Sequence, residues 1–332
     1  MRLEAISTLV RGLALALVGI AGLASAVPAQ AQGSYPSKQI RMIVPLAAGS
    51  AVDVAARMLA QKMSTSMGQT IVVENIVGAA GIIGADRLAK SPPDGYTIGG
   101  FNDSVLTMVP NLNPNTPFNP VSDFNHVSIA AIIEFSVAVA TDSPYKTVAD
   151  LVAAAKASPG KLTYASGGNG SPQHMAGALF AAHTGIDIKH VPYRGASQAA
   201  LDVASGQVDV TFQGIATVAS LAKAGKLRLI GVMANARHPE YPATPTLKEV
   251  GINGFDFSTW FALTTPPGTP RDIVNRLHSE TVKALADPEV KERYAALGLK
   301  PNGNTPEEMV GVVRDQLARY GKAIRDNNIK AE

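Results

Sequence analysis

The spacing of apolar positions changes repeatedly along the chain from continuous short runs to a helical period. Residues 40–44 form a short, mainly apolar run that reads as a buried strand, and Pro45 ends it. Four small residues, Ala47 to Ser50, follow and allow a tight turn. From Ala51 the apolar residues Val54, Ala55, Met58, Leu59 and Met63 recur at helical spacing, with Arg57, Gln61 and Lys62 between them. The same succession of strand, small-residue loop and helix returns over 70–75, 78–85 and 85–90. A turn at 92–95 leads to a predicted strand at 96–100, and residues 110–125, rich in Pro and Asn, are expected to be irregular. Residues 127–140 are the longest apolar run after the N-terminal segment. That is more than one ordinary strand needs, so the run is expected to cross between two domains.

A second set of units begins near Thr147. Helices are predicted over 148–157, 172–184, 196–205 and 217–224, with strands at 162–165, 188–193, 207–212 and 227–233. Residues 237–268 are proline-rich and expected to be irregular, and two amphipathic helices, 271–286 and 306–327, close the chain. Alternation of strands and helices predicts α/β architecture with mostly parallel sheets. The apolar crossings at 128–140 and 227–234 bracket an inserted domain of roughly 100 residues, an ordinary domain size. The expected organisation is two lobes: 32–133 and 233–332 in the first, 134–232 in the second.

Composition agrees with a core-forming protein: of 332 residues, 46% are hydrophobic and 17% charged. The formal net charge of +3 comes without any block of Lys or Arg, so no nucleic-acid partner is expected. Residues 1–31 read as a secretory signal peptide. Arg2 and Arg11 flank its start, residues 12–26 are apolar or small, and Ala29-Gln30-Ala31 supplies a cleavage pattern. A mature chain from Gln32, placed in the periplasm, is the expectation. The chain has no cysteine, which excludes lipidation at an N-terminal Cys, disulfides and Cys-ligated zinc.

Candidate chemistry sits at the strand ends. Leu46, Ala47, Ala48, Gly49 and Ser50 run into a helix N-terminus, where open N–H groups and the dipole favour an anion. Asp53 lies in the first turn, suited either to the dipole alone or to a water-mediated ligand contact. Gly78, Ala79, Ala80 and Gly81 make a second small-residue loop. Its G-x-x-G-x-x-G spacing departs from the dinucleotide fingerprint, and no cofactor is expected. Asn102 and Ser104 follow the next strand, and Ser166, Gly167, Asn169, Gly170 and Ser171 form a third loop, rich in hydroxyls. Arg194 is either a bidentate partner for a carboxylate or the partner of Asp209 or Asp202. His174 is expected to pack or bond locally, and Trp260 and Phe261 either pack in the core or line a cleft. No nucleophile elbow, zincin motif or P-loop is present, and no metal site is expected among the six histidines. An exported α/β hydrolase acting on a small ester or amide remains the competing class.

In order and spacing, these segments together resemble the Bug family of extracytoplasmic solute receptors, the binding proteins of tripartite tricarboxylate transporters. The marks are Tyr35-Pro36 before Ile40-Arg41, residues 45–53 with Ala56-Arg57, residues 78–85, and Pro93-Asp94-Gly95-Tyr96-Thr97. They continue through Gly170-Ser171 with His174, the run His190-Val191-Pro192-Tyr193-Arg194-Gly195, and Gly206-Gln207-Val208-Asp209. Pro245-Thr246 and Pro267-Gly268-Thr269-Pro270 complete them. The resemblance implies a non-enzymatic, two-lobed flytrap that closes on a small organic carboxylate, a monomer serving the large and small membrane subunits of a transporter. It also implies one carboxylate on the loops 46–50 and 78–81, with the other end read by 166–171, Arg194 and Gln213. Three departures stand out: Ala48-Gly49-Ser50 where the family usually has Pro-Gly-Gly, Ala80 where Gly is usual, and Ala178 where an acidic residue is common. The ligand is left open among aliphatic di- and tricarboxylates, amino acids and aromatic acids.

Overall fold

The first strand, β1 (Ile40–Val44), ends at Pro45, and helix α1 (Ala51–Met67) starts after an N-cap at Ser50 and stops at Gly68, whose φ of 68° suits glycine. These elements belong to a computed structural model that describes residues 35–330, so the signal-peptide reading falls outside the described residues. Strand β2 (Ile71–Asn75) passes through a single turn at Ala79–Gly81 into α2 (Ile82–Ala89), and β3 is Thr97–Asn102. Beyond β3 the chain winds as a π-helical turn, Ser104–Met108, into the short α3 (Val109–Leu112). Such turns are uncommon and concentrate near functional sites.

Strand β4 (Asn125–Ala140) is 16 residues long and organises the sheet. The second set of units follows: α4 (Val148–Ala157), β5 (Thr163–Ser166), α5 (Pro172–Thr184) and β6 (Lys189–Pro192). Then come α6 (Ala196–Ala204), β7 (Val210–Gly214), α7 (Ile215–Lys223) and β8 (Leu227–Val232). The chain returns through β9 (Ser258–Thr265), α8 (Arg271–Ala286), α9 (Pro288–Ala295), β10 (Leu299–Pro301) and α10 (Pro306–Asp326).

The strands run in the order β2-β1-β3-β9-β4-β7-β5-β6, with β8 and β10 also paired to β4. Outer strands are parallel: β1 with β2 and β3, and β5 with β6 and β7. The middle is antiparallel, because β4 crosses one way and its partners return the other. Residues 125–134 of β4 pair with β9, whereas 135–140 pair with β7 and β8. The partner change at Glu134/Phe135 divides the sheet into halves, and each half has its own core. One gathers Ile43, Leu88, Phe101, Phe124, Trp260 and Met309; the other gathers Ala165, Ala199, Val203, Ile215, Val218 and Leu229. This is the two-lobed α/β architecture expected from the sequence, laid out within one compact unit that runs from Lys38.

Three expectations are corrected. Residues 258–265 are a central strand, not part of an irregular stretch: Trp260 and Phe261 are buried, and Trp260 Nε1 donates to Gln316 Oε1 at 2.9 Å. The sheets are mixed, since the crossing strands are antiparallel to their neighbours. The stretch at 110–125 begins with the last turn of α3 before it becomes irregular. Among the described residues no helix is long and apolar enough to cross a membrane.

Candidate functional site

The ends of β1, β2 and β3 in one half face the ends of β5 and β7 in the other, and between them lies a cavity of about 430 Å³. Five segments frame it. Pro45, Leu46, Ala47 and Ser50 come from the β1–α1 loop, and Gly78 to Gly81 from the β2–α2 loop. Gly167, Gly168, Ser171 and Gln173 come from the β5–α5 turn, Tyr193 to Ala196 from the approach to α6, and Gly214 and Thr217 from the start of α7. Ile133 and Phe135 of β4, with Thr259 of β9, form the floor, and Asn102 enters from the end of β3. Arg194 is the one charged side chain among these lining residues, and no Asp or Glu lines the space.

Several backbone donors of the β1–α1 loop are held within the protein. Ser50 Oγ accepts from the Asp53 N–H at 3.3 Å, and the Ala51 N–H donates to Thr217 Oγ1 of the opposite half at 2.8 Å. The next N–H of the first turn belongs to Val52, which lines the cavity. Asp53 lies behind the loop: it accepts from Gly49 N at 2.9 Å and Asn75 Nδ2 at 2.9 Å, and pairs with Arg57 at 3.0 Å. It braces the turn and does not reach the cavity. Gly49 itself has φ 75°, outside the range that suits a side chain.

The second loop is unusual in its backbone. Gly78, Ala79, Ala80 and Gly81 have φ of 136°, 45°, 53° and 100°, four successive positive values of which two belong to alanines. Left-handed backbone costs a non-glycine residue roughly 1–2 kcal/mol. The Gly81 N–H closes the turn on the Gly78 carbonyl oxygen at 2.9 Å, and all four residues border the cavity.

In the opposite half Ser171 caps α5, its hydroxyl accepting from His174 N at 3.3 Å. The His174 ring does not meet Ser171; its Nδ1 accepts from Gly170 N at 3.1 Å. His174 stacks on His190 with centroids 4.2 Å apart, and His190 Nε2 lies 2.5 Å from Ser166 Oγ. Burial pulls the His174 pKa down to about 4 and, with the neighbouring ring, that of His190 to about 3. Both imidazoles are neutral at ordinary pH and serve as packing behind the loop. Ser166 is fully buried and outside the cavity, so its contact with His190 offers no accessible nucleophile.

Arg194 is exposed at the cavity rim. Neither acidic candidate from the sequence holds it. Asp209 accepts from Thr163 N and Oγ1, both at 2.8 Å, while Asp202 accepts from Gln198 Nε2 at 2.8 Å and bonds Tyr193. The Tyr193 pKa is pushed up to about 12, first by burial and then by Asp202.

The cavity thus brings together Leu46, Ala47, Ser50, Gly78, Ala79, Ala80 and Gly81 with Asn102, Gly167, Ser171 and Arg194. Ala48, Gly49, Asp53, Ser104, Ser166, Asn169, Gly170 and Gln213 stand behind or beside its wall. Two of these join the halves directly: Ser104 Oγ donates to Gly170 O, and Ser197 Oγ donates to Ala48 O, each at 2.8 Å. Together with the Ala51–Thr217 bond they tie the loops beside the cavity across the two halves. The approach is close enough that a Cβ on Gly195 would lie 2.5 Å from that of Ala47. Sequence reasoning missed Ile133, Gln173 and Thr217. Ile133 reads simply as core of an apolar run, and only tertiary structure tells which core residues a cavity bares. Of three apolar side chains that would favour an aromatic acid in a cleft, Phe135 lines the cavity, whereas Met108 and Phe261 are buried elsewhere.

Residues 55–329 match the model of TctC, the tripartite tricarboxylate transporter family receptor. A protein from the tcbD-tcbE intergenic region of Pseudomonas sp. strain P51 is 38% identical over 318 residues, covering 96% of this chain and 94% of its own. Protein BugT of Bordetella pertussis is 34% identical, covering 95% and 98%. Among solved structures, one described as a periplasmic transporter superposes with a TM-score of 0.87 at 37% identity, over 90% of this chain and 100% of its own. Rpa4515 of Rhodopseudomonas palustris with adipate gives 0.86 at 30% identity, over 89% and 99%. MatC of the same organism with bound malate gives 0.82 at 27%, over 87% and 100%. The extent of these matches, over both halves and the cavity between them, makes this chain a member of the TctC family, the Bug-type receptors of tripartite tricarboxylate transporters.

Proposed function

We propose that this protein is a periplasmic receptor that captures a small organic dicarboxylate between its lobes and delivers it to the membrane subunits of a tripartite transporter. The observation that carries the reading is the electrical character of the cavity. Its lining includes the N-terminus of α1, the backbone of the 78–81 loop and one guanidinium, and no acidic side chain. One carboxylate sits against Ser50 and the 78–81 loop, and the other faces Arg194 and the start of α6. Leu46, Ile133 and Phe135 cover the carbon chain between them. The absence of an acidic lining residue disfavours α-amino acids, whose ammonium would go uncompensated. Adipate and malate, held by two relatives, are acids of the kind this arrangement suits.

The lobes in this reading are 32–133 with 233–332, and 134–232, and they hinge where β4 changes partners near Glu134. Closure carries Thr217, Ser197 and Gly170 onto the first lobe, and the closed form is the state a permease recognises. The protein does no chemistry on its ligand and acts as a monomer.

A thermal-shift series tests this. Ligand at about 100 times its dissociation constant adds roughly 2.7 kcal/mol and moves melting by several degrees. A shift with an aliphatic diacid and none with its diamide is the expected result; a cooperative melt unmoved by every acid contradicts it.

A further inference from the structure

The wall behind Gly167 holds two glutamines whose amides are tied in a fixed order. Gln213, on β7, is fully buried, and its Nε2 donates to the carbonyl oxygen of Ala196 at 3.1 Å. A carbonyl only accepts, so this bond decides which way round the Gln213 amide lies and turns its Oε1 toward Gln173. Gln173 Nε2 donates to that oxygen at 2.6 Å. The Gln173 amide is therefore fixed in turn, and its own Oε1 is the group on the cavity side.

Two further facts place that oxygen. Gln173 is 7% exposed and lines the cavity. A Cβ built on Gly167, which also lines it, would stand 3.2 Å from Gln173 Oε1 and 3.1 Å from Ala196 N. An acceptor and a donor thus border one small space that glycine keeps open. The Ala196 N–H is the first of α6, whose N-cap Gly195 brings no side-chain acceptor, and Arg194 precedes it.

A fixed acceptor repels a carboxylate oxygen and requires a hydrogen-bond donor on whatever lies against it. An ammonium does not suit, because no Asp or Glu lines the cavity. A hydroxyl on the carbon next to a carboxylate does: the hydroxyl donates to Gln173 Oε1, while the carboxylate takes the Ala196 N–H and Arg194. Resting on the receptor reading above, we infer that the ligand's second end is a 2-hydroxy-carboxylate, with Gln173 as the specificity-determining acceptor and Gln213 as the residue that positions it.

The test is calorimetric, on the full-length folded chain, with two pairs of acids that differ only in the hydroxyl: malate against succinate, and 2-hydroxyadipate against adipate. A hydroxyl met by a buried, oriented acceptor is worth about tenfold or more in affinity. The hydroxy acid is expected to bind about tenfold more tightly in at least one pair. In Gln173→Met, and in Gln213→Met, which leaves the cavity wall itself untouched, that ratio should fall to within about twofold, with thermal melts recorded to establish that each variant is folded. Equal affinity of both members of each pair for the unaltered protein overturns this inference and leaves the receptor reading standing, as does a ratio that survives in both folded variants. Failure of all four acids to bind overturns both.

Discussion

Ser50 caps a helix and lines the cavity at once. Its hydroxyl oxygen caps α1 through the Asp53 N–H, which leaves the O–H itself available as a donor to a carboxylate in the proposed reading. Ser50→Ala removes cap and donor together: stability should fall by about 1 kcal/mol and carboxylate affinity by several-fold. Ser50→Asp separates the roles, because aspartate is an equally good cap but puts negative charge at the anion seat. It should melt like the unaltered protein and lose carboxylate binding, as read by thermal denaturation and calorimetry on the same preparations. Retained affinity in Ser50→Asp would reduce the residue to a cap. Asp53 marks a limit of what single residues reveal. Its position in the first turn was legible, but its three partners were not, since Asn75 is brought to it by the pairing of β1 with β2.

At the scale of the element, the 78–81 turn is the most informative. Glycines at both ends are easily read as a loop, but the left-handed conformation of Ala79 and Ala80 has no signature in the sequence, because alanine gives no reason to expect it. The strain sits in a turn all four of whose residues border the cavity. Ala80→Gly should therefore stabilise the protein by about 0.5–1 kcal/mol in urea denaturation, since glycine adopts φ 53° without steric cost. A loss of stability instead would mean that the Ala80 side chain contributes packing that outweighs the strain. Elements whose apolar period is strong, α1, α8 and α10, were legible to within a few residues, and α5 was legible from Pro172 at its first turn. Strand β9 was not. Its flanking prolines and glycines read as irregular chain, and the antiparallel ladder with β4 overrides that local signal. The π-helical turn after Asp103 was likewise hidden.

At the scale of the whole molecule, two halves with separate cores meet across a small-residue seam bridged by hydrogen bonds that include Ala51–Thr217, Ser104–Gly170 and Ser197–Ala48. The two-lobed plan was legible from the long apolar run of β4, because no single strand needs 16 residues. Which groups line the cavity was not, since Gln173, Thr217 and Phe135 come from α5, α7 and β4 and are brought to one wall only by the folding of the second half. Stability of this assembly should depend on pH through its buried histidines. Burial holds the His126 pKa at about 4, against 6.5 in an unfolded chain, so the unfolded state binds the extra proton in between. The neutral ring therefore contributes stability that is complete above about pH 6.5 and lost as pH falls toward 4, up to about 3 kcal/mol. His174 and His190 act in the same sense. Denaturant midpoints taken from pH 7 to pH 4 should fall, and replacing His126 with glutamine should flatten the curve. The central claim, that the cavity between the halves holds a dicarboxylate, is tested most directly by calorimetric titration of an aliphatic diacid into the unaltered protein and Arg194→Gln. The account predicts a dissociation constant near the micromolar range, about 8 kcal/mol, for the diacid and no binding of its diamide. Because Arg194 is exposed and holds no ion pair among the described residues, Arg194→Gln should melt unchanged yet bind about tenfold more weakly. Equal binding of acid and diamide, or full affinity in Arg194→Gln, would contradict it.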